Sequence, residues 1–294
     1  MTAVLMEILH YEGQRPGPVF LVLGGVHGNE PCGPAAIREI ENFLARRPGA
    51  IDKGELIMVP EVNRAALKEN KRFLDRDLNR GLGEVETPLC HEDKVANELC
   101  PLLQQADILL DLHAYGGGHK AFIWVGPENK EERKFAKALG VKFLCGGFQA
   151  ATAALSTDNH AIGTTEYCRL HGGIALTLEC GQKKDLKSST ATGKKAIINA
   201  LRYLGMISED TDQNPDKDVQ DHYLVNVSKA YSKPENAVFT QNWSHLDRVK
   251  KGQVIAEIPG AGEIKADQDG FIVMPDHDAD PDTEWFYFGV ESQI

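Results

Sequence analysis

The sequence predicts an α/β domain with a mostly parallel central sheet, followed by a small C-terminal all-β, barrel-like domain. Three observations carry that expectation. Strand-length apolar runs alternate with amphipathic helical stretches up to about residue 205. A polar, acidic stretch without apolar periodicity then covers residues 208–221 (SEDTDQNPDKDVQD). Beyond it come only short strand-like runs set off by turn residues. Alternation of β and α signals is the mark of a parallel sheet covered by helices. Dense short strands are the mark of a small β module.

Residues 1–13 (MTAVLMEILHYEG) read as a first strand, because Glu7 interrupts the apolar stretch and no basic segment precedes it as in a signal peptide. Residues 19–25 (VFLVLGG) form a buried strand, and 35–47 (AAIREIENFLARR) a helix with Ile37, Ile40 and Leu44 on one face. Residues 55–60 (ELIMVP) are the next strand, 92–105 a helix despite Pro101, and 107–113 (DILLDLH) a strand. The helix at 131–139 is closed by Gly140, and the helix at 192–204 by Gly205. Between these two helices residues 173–179 (GIALTLE) form another strand. Short strands follow at 223–227, 253–258, 263–266, 270–274 and 284–290. The expected division is 1–207 for the α/β domain, 208–221 for a linker and 222–294 for the β-domain.

Composition narrows the function classes. Of 294 residues, 42% are hydrophobic and 26% charged, as in an ordinary soluble globular protein. Lys and Arg number 32 against 43 Asp and Glu, a formal charge of -11. That argues against nucleic acid and anionic membranes as partners, which need a basic face. A local arginine cluster still suits a small anionic substrate. No apolar run approaches the roughly 20 residues needed to span a bilayer. The six cysteines contain no CxxC pair, so a cytoplasmic location without a disulfide framework is expected.

The chemistry gathers at the carboxyl ends of predicted strands, where open α/β sheets build their sites. His27 and Glu30 follow one strand in GGVHGNE, His113 ends a second, and Glu179 ends a third. A lone H-x-x-E is a weak signal and a lone strand-end His is usually just a polar terminus. Four such residues at three strand ends point instead to a metal site, since two imidazoles and a carboxylate leave a coordination position for water. Gly24, Gly25 and Gly28 allow the tight turn. Asp111 shares a strand face with His113 and either orients its imidazole or caps backbone amides. In 71–80 (KRFLDRDLNR), Arg72, Arg76, Asn79 and Arg80 read alone as a solvated basic turn balanced by Asp75 and Asp77. Beside a metal they become candidates to grip a carboxylate, as does Arg169.

GGVHGNE, RFLDRDLNR, DLH and the Arg169…Glu179 pair occur in the order and at the intervals of the succinylglutamate desuccinylase/aspartoacylase family, which the chain resembles over nearly its whole length. The resemblance implies a zinc-carboxypeptidase-like fold holding one Zn²⁺ per chain. It implies that His27, Glu30 and His113 bind the zinc and that Glu179 is the general base. Arg72 would polarise the scissile carbonyl, with Asn79, Arg80 and Arg169 holding a substrate carboxylate. The expected activity is hydrolytic deacylation of a small anionic N-acyl amino acid.

The sequence departs from the family's pattern after DLH. Here Ala114, Tyr115 and Gly116 stand where aspartoacylases have Asn-Thr and desuccinylases Thr-Ala. Thr165 occupies the place of the aspartoacylase substrate tyrosine, with Tyr167 nearby. The acyl group, the amino acid, the roles of Tyr115, Tyr167 and His119, and any homo-oligomer therefore stay open. Two rival readings are a metallocarboxypeptidase acting on peptide C-termini and a non-catalytic binding protein on the same fold. The residues 250–274 resemble a lipoyl- or biotinyl-like barrel, but Lys265 lacks the Met-Lys-Met context of a carrier lysine. The acidic run at 276–282 lacks the sixth-position glycine of a calcium loop.

Overall fold

The computed structural model describes residues 6–126, 129–152, 162–207 and 221–292. The expected linker lies outside the described residues up to position 220. In chain order the first part contains β1 (Leu9–Glu12), β2 (Arg15–Gly24), α1 (Cys32–Ala45), β3 (Lys53–Val59), α2 (Arg64–Lys68) and α3 (His91–Gln105). Next come β4 (Ile108–Tyr115), β5 (Phe122–Trp124), α4 (Lys130–Ala138), β6 (Phe143–Gly146), α5 (Phe148–Thr152), α6 (Thr164–Leu170), β7 (Ile174–Gln182) and α7 (Leu186–Tyr203). The C-terminal part holds β8 (Tyr223–Ser232), β9 (Val238–Phe239), β10 (Asp247–Val249), β11 (Val254–Ile258), β12 (Gly262–Lys265), β13 (Gly270–Val273) and β14 (Glu284–Ser292).

The central sheet is mixed, with strand order β1-β3-β2-β4-β7-β5-β6-β8-β14-β13-β10. Parallel pairing joins β3, β2, β4 and β7, and again β5, β6 and β8. Antiparallel pairs flank these blocks, and β5 runs antiparallel to β7. The predicted strands at 19–25, 107–113 and 173–179 are neighbours in it, as β2, β4 and β7. Every residue of β4 is buried, which a strand covered by helices on both faces requires. One face packs on α1, α4 and α7 through Ile37, Ile40, Phe135 and Ile197. The other packs on α3 and α6 through Val95, Leu99, Leu103 and Cys168. Pro101 sits inside α3 at an exposed position. Gly140 and Gly205 take positive φ just after α4 and α7, as their C-terminal positions predict.

The expected barrel does not close. Strand β8 pairs with β6 through Tyr223–Asn226 and with β14 along most of its length, so the central sheet runs on into the C-terminal part. The remaining strands β12, β11 and β9 form a separate three-stranded sheet. The sheet that contains β8 ends on β10 and the β12-β11-β9 sheet ends on β12 and β9, so neither set of strands closes on itself as a barrel must. Trp243, Trp285 and Phe286 fill the core between the two C-terminal sheets. Strands β5 and β6, only three and four residues long, show no sequence periodicity, yet they occupy the middle of the sheet.

Candidate active site

The carboxyl ends of β2, β4 and β7 converge on one cavity of about 880 Å³. His27 and Glu30 stand in the turn between β2 and α1. Gly25, with φ of +67°, turns the chain there. Gly28 lies so close to α2 that an added Cβ would meet the Ala66 carbonyl carbon at 2.1 Å. The Gly28 N–H donates to the Arg72 carbonyl at 3.1 Å, tying this turn to the basic segment. His113 and Glu179 are direct partners across the β4–β7 register, so both side chains leave the sheet on the same face.

Three of these residues form a buried donor cluster. One Glu30 oxygen lies 3.0 Å from His27 Nδ1 and the other 3.0 Å from His113 Nδ1. The ligand atoms of His27, Glu30 and His113 all lie within 4.8 Å of one another. Each imidazole is held from behind by an aspartate: His27 Nε2 meets Asp77 Oδ1 at 3.1 Å, and His113 Nε2 meets Asp111 Oδ2 at 3.0 Å. Carboxylates behind both rings fix the tautomers and turn both Nδ1 atoms inward, the usual arrangement around a divalent cation. Among the described residues Glu179 Oε2 is buried and makes no hydrogen bond. Two inward imidazole nitrogens and a carboxylate, beside a carboxylate oxygen without a partner, fit a metal ion with an open position. A second grouping, Asp75, Cys90 and Glu92, is explained by hydrogen bonds to backbone amides.

Electrostatics follow from this burial. Burial would raise the Glu30 carboxyl, but His27 and then His113 hold it well below the ordinary range. Burial would lower the His113 imidazole, but Asp111 and Glu30 carry it well above its usual value. Glu179 is pushed up to about 7 by burial, against the pull of His113. A carboxyl near neutrality is suited to taking and returning a proton. Arg72 is raised despite burial because Asp77 and Glu30 face it, and its Nε donates to Asp77 Oδ2 at 3.0 Å.

Asp77 joins the two halves of the site, and sequence patterning registers it only as a balancing charge. It caps the 3₁₀ turn Leu78–Arg80, accepting from Asn79 N–H, while binding both His27 and Arg72. Replacing Asp77 by Asn is expected to weaken metal affinity by about 10–100-fold, the usual effect of removing a carboxylate behind a ligating imidazole. Titration with a competing chelator of known affinity measures it.

The segment before that turn hangs on Glu92 of α3. Its carboxylate accepts from the backbone N–H of Leu74 at 2.8 Å, Asp75 at 3.1 Å and Arg76 at 3.4 Å, and from Asn63 Nδ2 at 2.9 Å. Burial would raise this group, but those donors keep it below its ordinary 4.5. Its contribution to stability is therefore complete above about pH 4.5 and is lost as pH falls through the lower folded-state value. Glu92→Gln is expected to unfold at lower urea than the parent at pH 7, with the gap closing as pH falls below 4.5.

The other expected residues are distributed as follows. Asn79, Arg80 and Arg169 line the cavity together with Arg72, Tyr115 and Thr165. Arg76 turns instead to Asp93 and the Gly81 carbonyl. The Asn79 side-chain oxygen accepts from Thr164 N–H at 2.9 Å. Arg80 donates to its neighbour's carbonyl and lies 3.8 Å from Glu284. Tyr115 donates to the Lys120 carbonyl at 2.6 Å and stacks edge-on against His245. Tyr167 lies outside the lining, its hydroxyl bonded to Gln104, and His119 is not part of the lining either. Glu132, Trp124, Phe148 and Tyr287 also shape the site. No periodic signal could have found them, since they come from four separate elements.

Comparison with known proteins agrees with this geometry. Residues 16–204 match the model of the succinylglutamate desuccinylase/aspartoacylase catalytic domain. The fold is shared with a succinylglutamate desuccinylase/aspartoacylase from Rhodobacter sphaeroides at 20% identity and a TM-score of 0.77, covering 98% of this chain and 89% of that one. The product-bound ectoine utilization protein EutE (DoeB) from Ruegeria pomeroyi aligns at 20% identity and a TM-score of 0.73, over 96% and 88% of the two chains. A succinylglutamate desuccinylase from Vibrio parahaemolyticus aligns at 17% identity and a TM-score of 0.70, over 97% and 86%. No curated protein sequence matches the chain. No described helix is long and apolar enough to cross a membrane. With the catalytic-domain model matched over most of the chain and the metal-donor cluster at its sheet ends, this protein belongs to the succinylglutamate desuccinylase/aspartoacylase family.

Proposed function

We propose that the protein is a zinc-dependent deacylase that hydrolyses the amide bond of a small, carboxylate-bearing N-acyl amino acid. The observation that carries this reading is the placement of Glu179, its buried Oε2 without a partner, directly across the sheet from His113 of the donor cluster. His27, Glu30 and His113 would hold one zinc ion per chain. When bound, zinc supplies Lewis acidity that eases deprotonation of water and polarises a carbonyl.

The chain's own residues do the rest. Glu179 takes the proton from the attacking water and returns it to the leaving nitrogen, a shuttle that its elevated pKa suits. Arg72 stands over the same space and meets the oxygen that gains negative charge, held in aim by Asp77. Arg80 takes the substrate carboxylate beside Asn79, and Arg169 lines the cavity with its guanidinium held by Glu132.

The test is amine release by zinc-loaded protein from N-succinyl-glutamate, N-acetyl-aspartate, a series of other N-acetyl amino acids and a blocked dipeptide. Turnover limited to N-acyl amino acids is the expected result. Cleavage of the dipeptide in preference would replace the deacylase reading by a carboxypeptidase one.

A further inference from the structure

Arg169 lines the cavity, yet its charge is already met by the protein. Its Nε donates to Glu132 Oε1 at 2.7 Å, and its Nη2 to Glu132 Oε2 at 3.3 Å and to the Ala175 carbonyl at 2.6 Å. Its Nη1 reaches Glu166 at 3.5 Å. Glu132 is fully buried and also accepts from the N–H groups of Gly126 and Ala175, which hold its carboxylate in place. An arriving anion would therefore find two carboxylates around one guanidinium. Such a site repels a second substrate carboxylate more than it attracts it. The guanidinium braces the wall between β5, α6 and β7.

The surface next to it is aromatic. Trp124 lies opposite Thr177 and Phe122 opposite Glu179 in the β5–β7 register, so Trp124 is two residues along the sheet from the base, on the same face. Its ring centroid is 4.8 Å from Phe148, which lies 5.4 Å from Tyr287, and all three line the cavity. The Arg80 guanidinium carbon sits 5.9 Å over the Phe148 ring. In an α-amino acid the carboxylate and the side chain share one carbon. A carboxylate on Arg80 therefore drops the side chain onto this shelf.

We infer that the leaving amino acid carries one carboxylate and an apolar side chain of aromatic size, which packs on Trp124, Phe148 and Tyr287. This rests on the deacylase reading above. Offset and edge-on ring packing gives such a shelf its preference.

Two measurements test it. In the first, kcat/KM of the zinc-loaded enzyme is compared for N-acetyl-phenylalanine, N-acetyl-alanine and N-acetyl-aspartate. A preference of about tenfold or more for phenylalanine over both is expected, the scale of discrimination that apolar pockets reach. Trp124→Leu, and separately Phe148→Leu, should each shrink the phenylalanine-to-alanine ratio several-fold. In the second, L-phenylalanine and L-aspartate are titrated into zinc-loaded Glu179→Gln protein by calorimetry, with tighter binding of phenylalanine expected. Preference for aspartate in either measurement overturns the shelf and leaves the deacylase reading intact. Silence of all three N-acetyl substrates would count against the deacylase reading, and the calorimetry would still decide the shelf.

Discussion

Replacing Glu179 by glutamine is expected to lower kcat by about 10²–10⁴-fold, the usual worth of a positioned general base, while bound metal stays stoichiometric. The side chain sits across the sheet from His113 but is outside the donor cluster of His27, Glu30 and His113. A neutral amide of the same shape keeps the packing and removes only the ability to take a proton. The pH profile gives a second reading of the same group. Burial raises Glu179 to about 7 against the pull of His113, and a metal cation bound beside it would lower that value further. The base acts deprotonated, so kcat/KM should rise with pH through an apparent pKa at or below about 7. That ascending limb should vanish in the variant. An unchanged rate, or a rate lost together with the metal, would remove Glu179 from the proton-transfer role.

His113→Ala is expected to abolish stoichiometric metal binding and reduce amide hydrolysis to background, as read by metal analysis after dialysis and by amine release. It should also destabilise the fold. Asp111 and Glu30 are both buried against this imidazole, and stripping one partner from a buried ion pair costs about 3–5 kcal/mol. Chelation of the parent protein should behave differently. His27 Nδ1 and His113 Nδ1 each lie 3.0 Å from a Glu30 oxygen, close enough for hydrogen bonds among the three donors to stand in for the ion. The chelated protein should thus keep its circular dichroism spectrum, lose activity and regain it with zinc. Unfolding on chelation would make the metal structural, and undiminished hydrolysis would remove it from the reaction.

Much of this arrangement is legible in the linear sequence because strand ends and motif spacing are local properties. Buried apolar runs identify β2, β4 and β7, and His27, Glu30, His113 and Glu179 lie just after β2 or near the carboxyl ends of β4 and β7, so their convergence can be read from the sequence. Alternation along β4 puts Asp111 on the face of His113, but its 3.0 Å contact with His113 Nε2 is what decides between orienting that imidazole and capping backbone amides. Asp77 is harder. One residue in a basic turn looks like charge balance until the fold brings His27 and Arg72 to it from both sides. The barrel expectation fails for a related reason. The short C-terminal strands are evident, but nothing local to β8 shows that its free edge meets β6.

By itself, then, the sequence determined the α/β class and the three strand ends that carry His27 with Glu30, His113 and Glu179, while the division of those four into metal ligands and base came with the family resemblance. Those features depend on hydrophobic periodicity and on side chains placed at fixed positions within a single element. Only the tertiary structure decided that Arg169 is neutralised by Glu132 and that Trp124, Phe148 and Tyr287 form one wall. These groups come from five different elements, and what each can bind depends on which charges and rings stand within a few ångströms of it. Such neighbours are set by sheet order and packing, which no local pattern in the chain records.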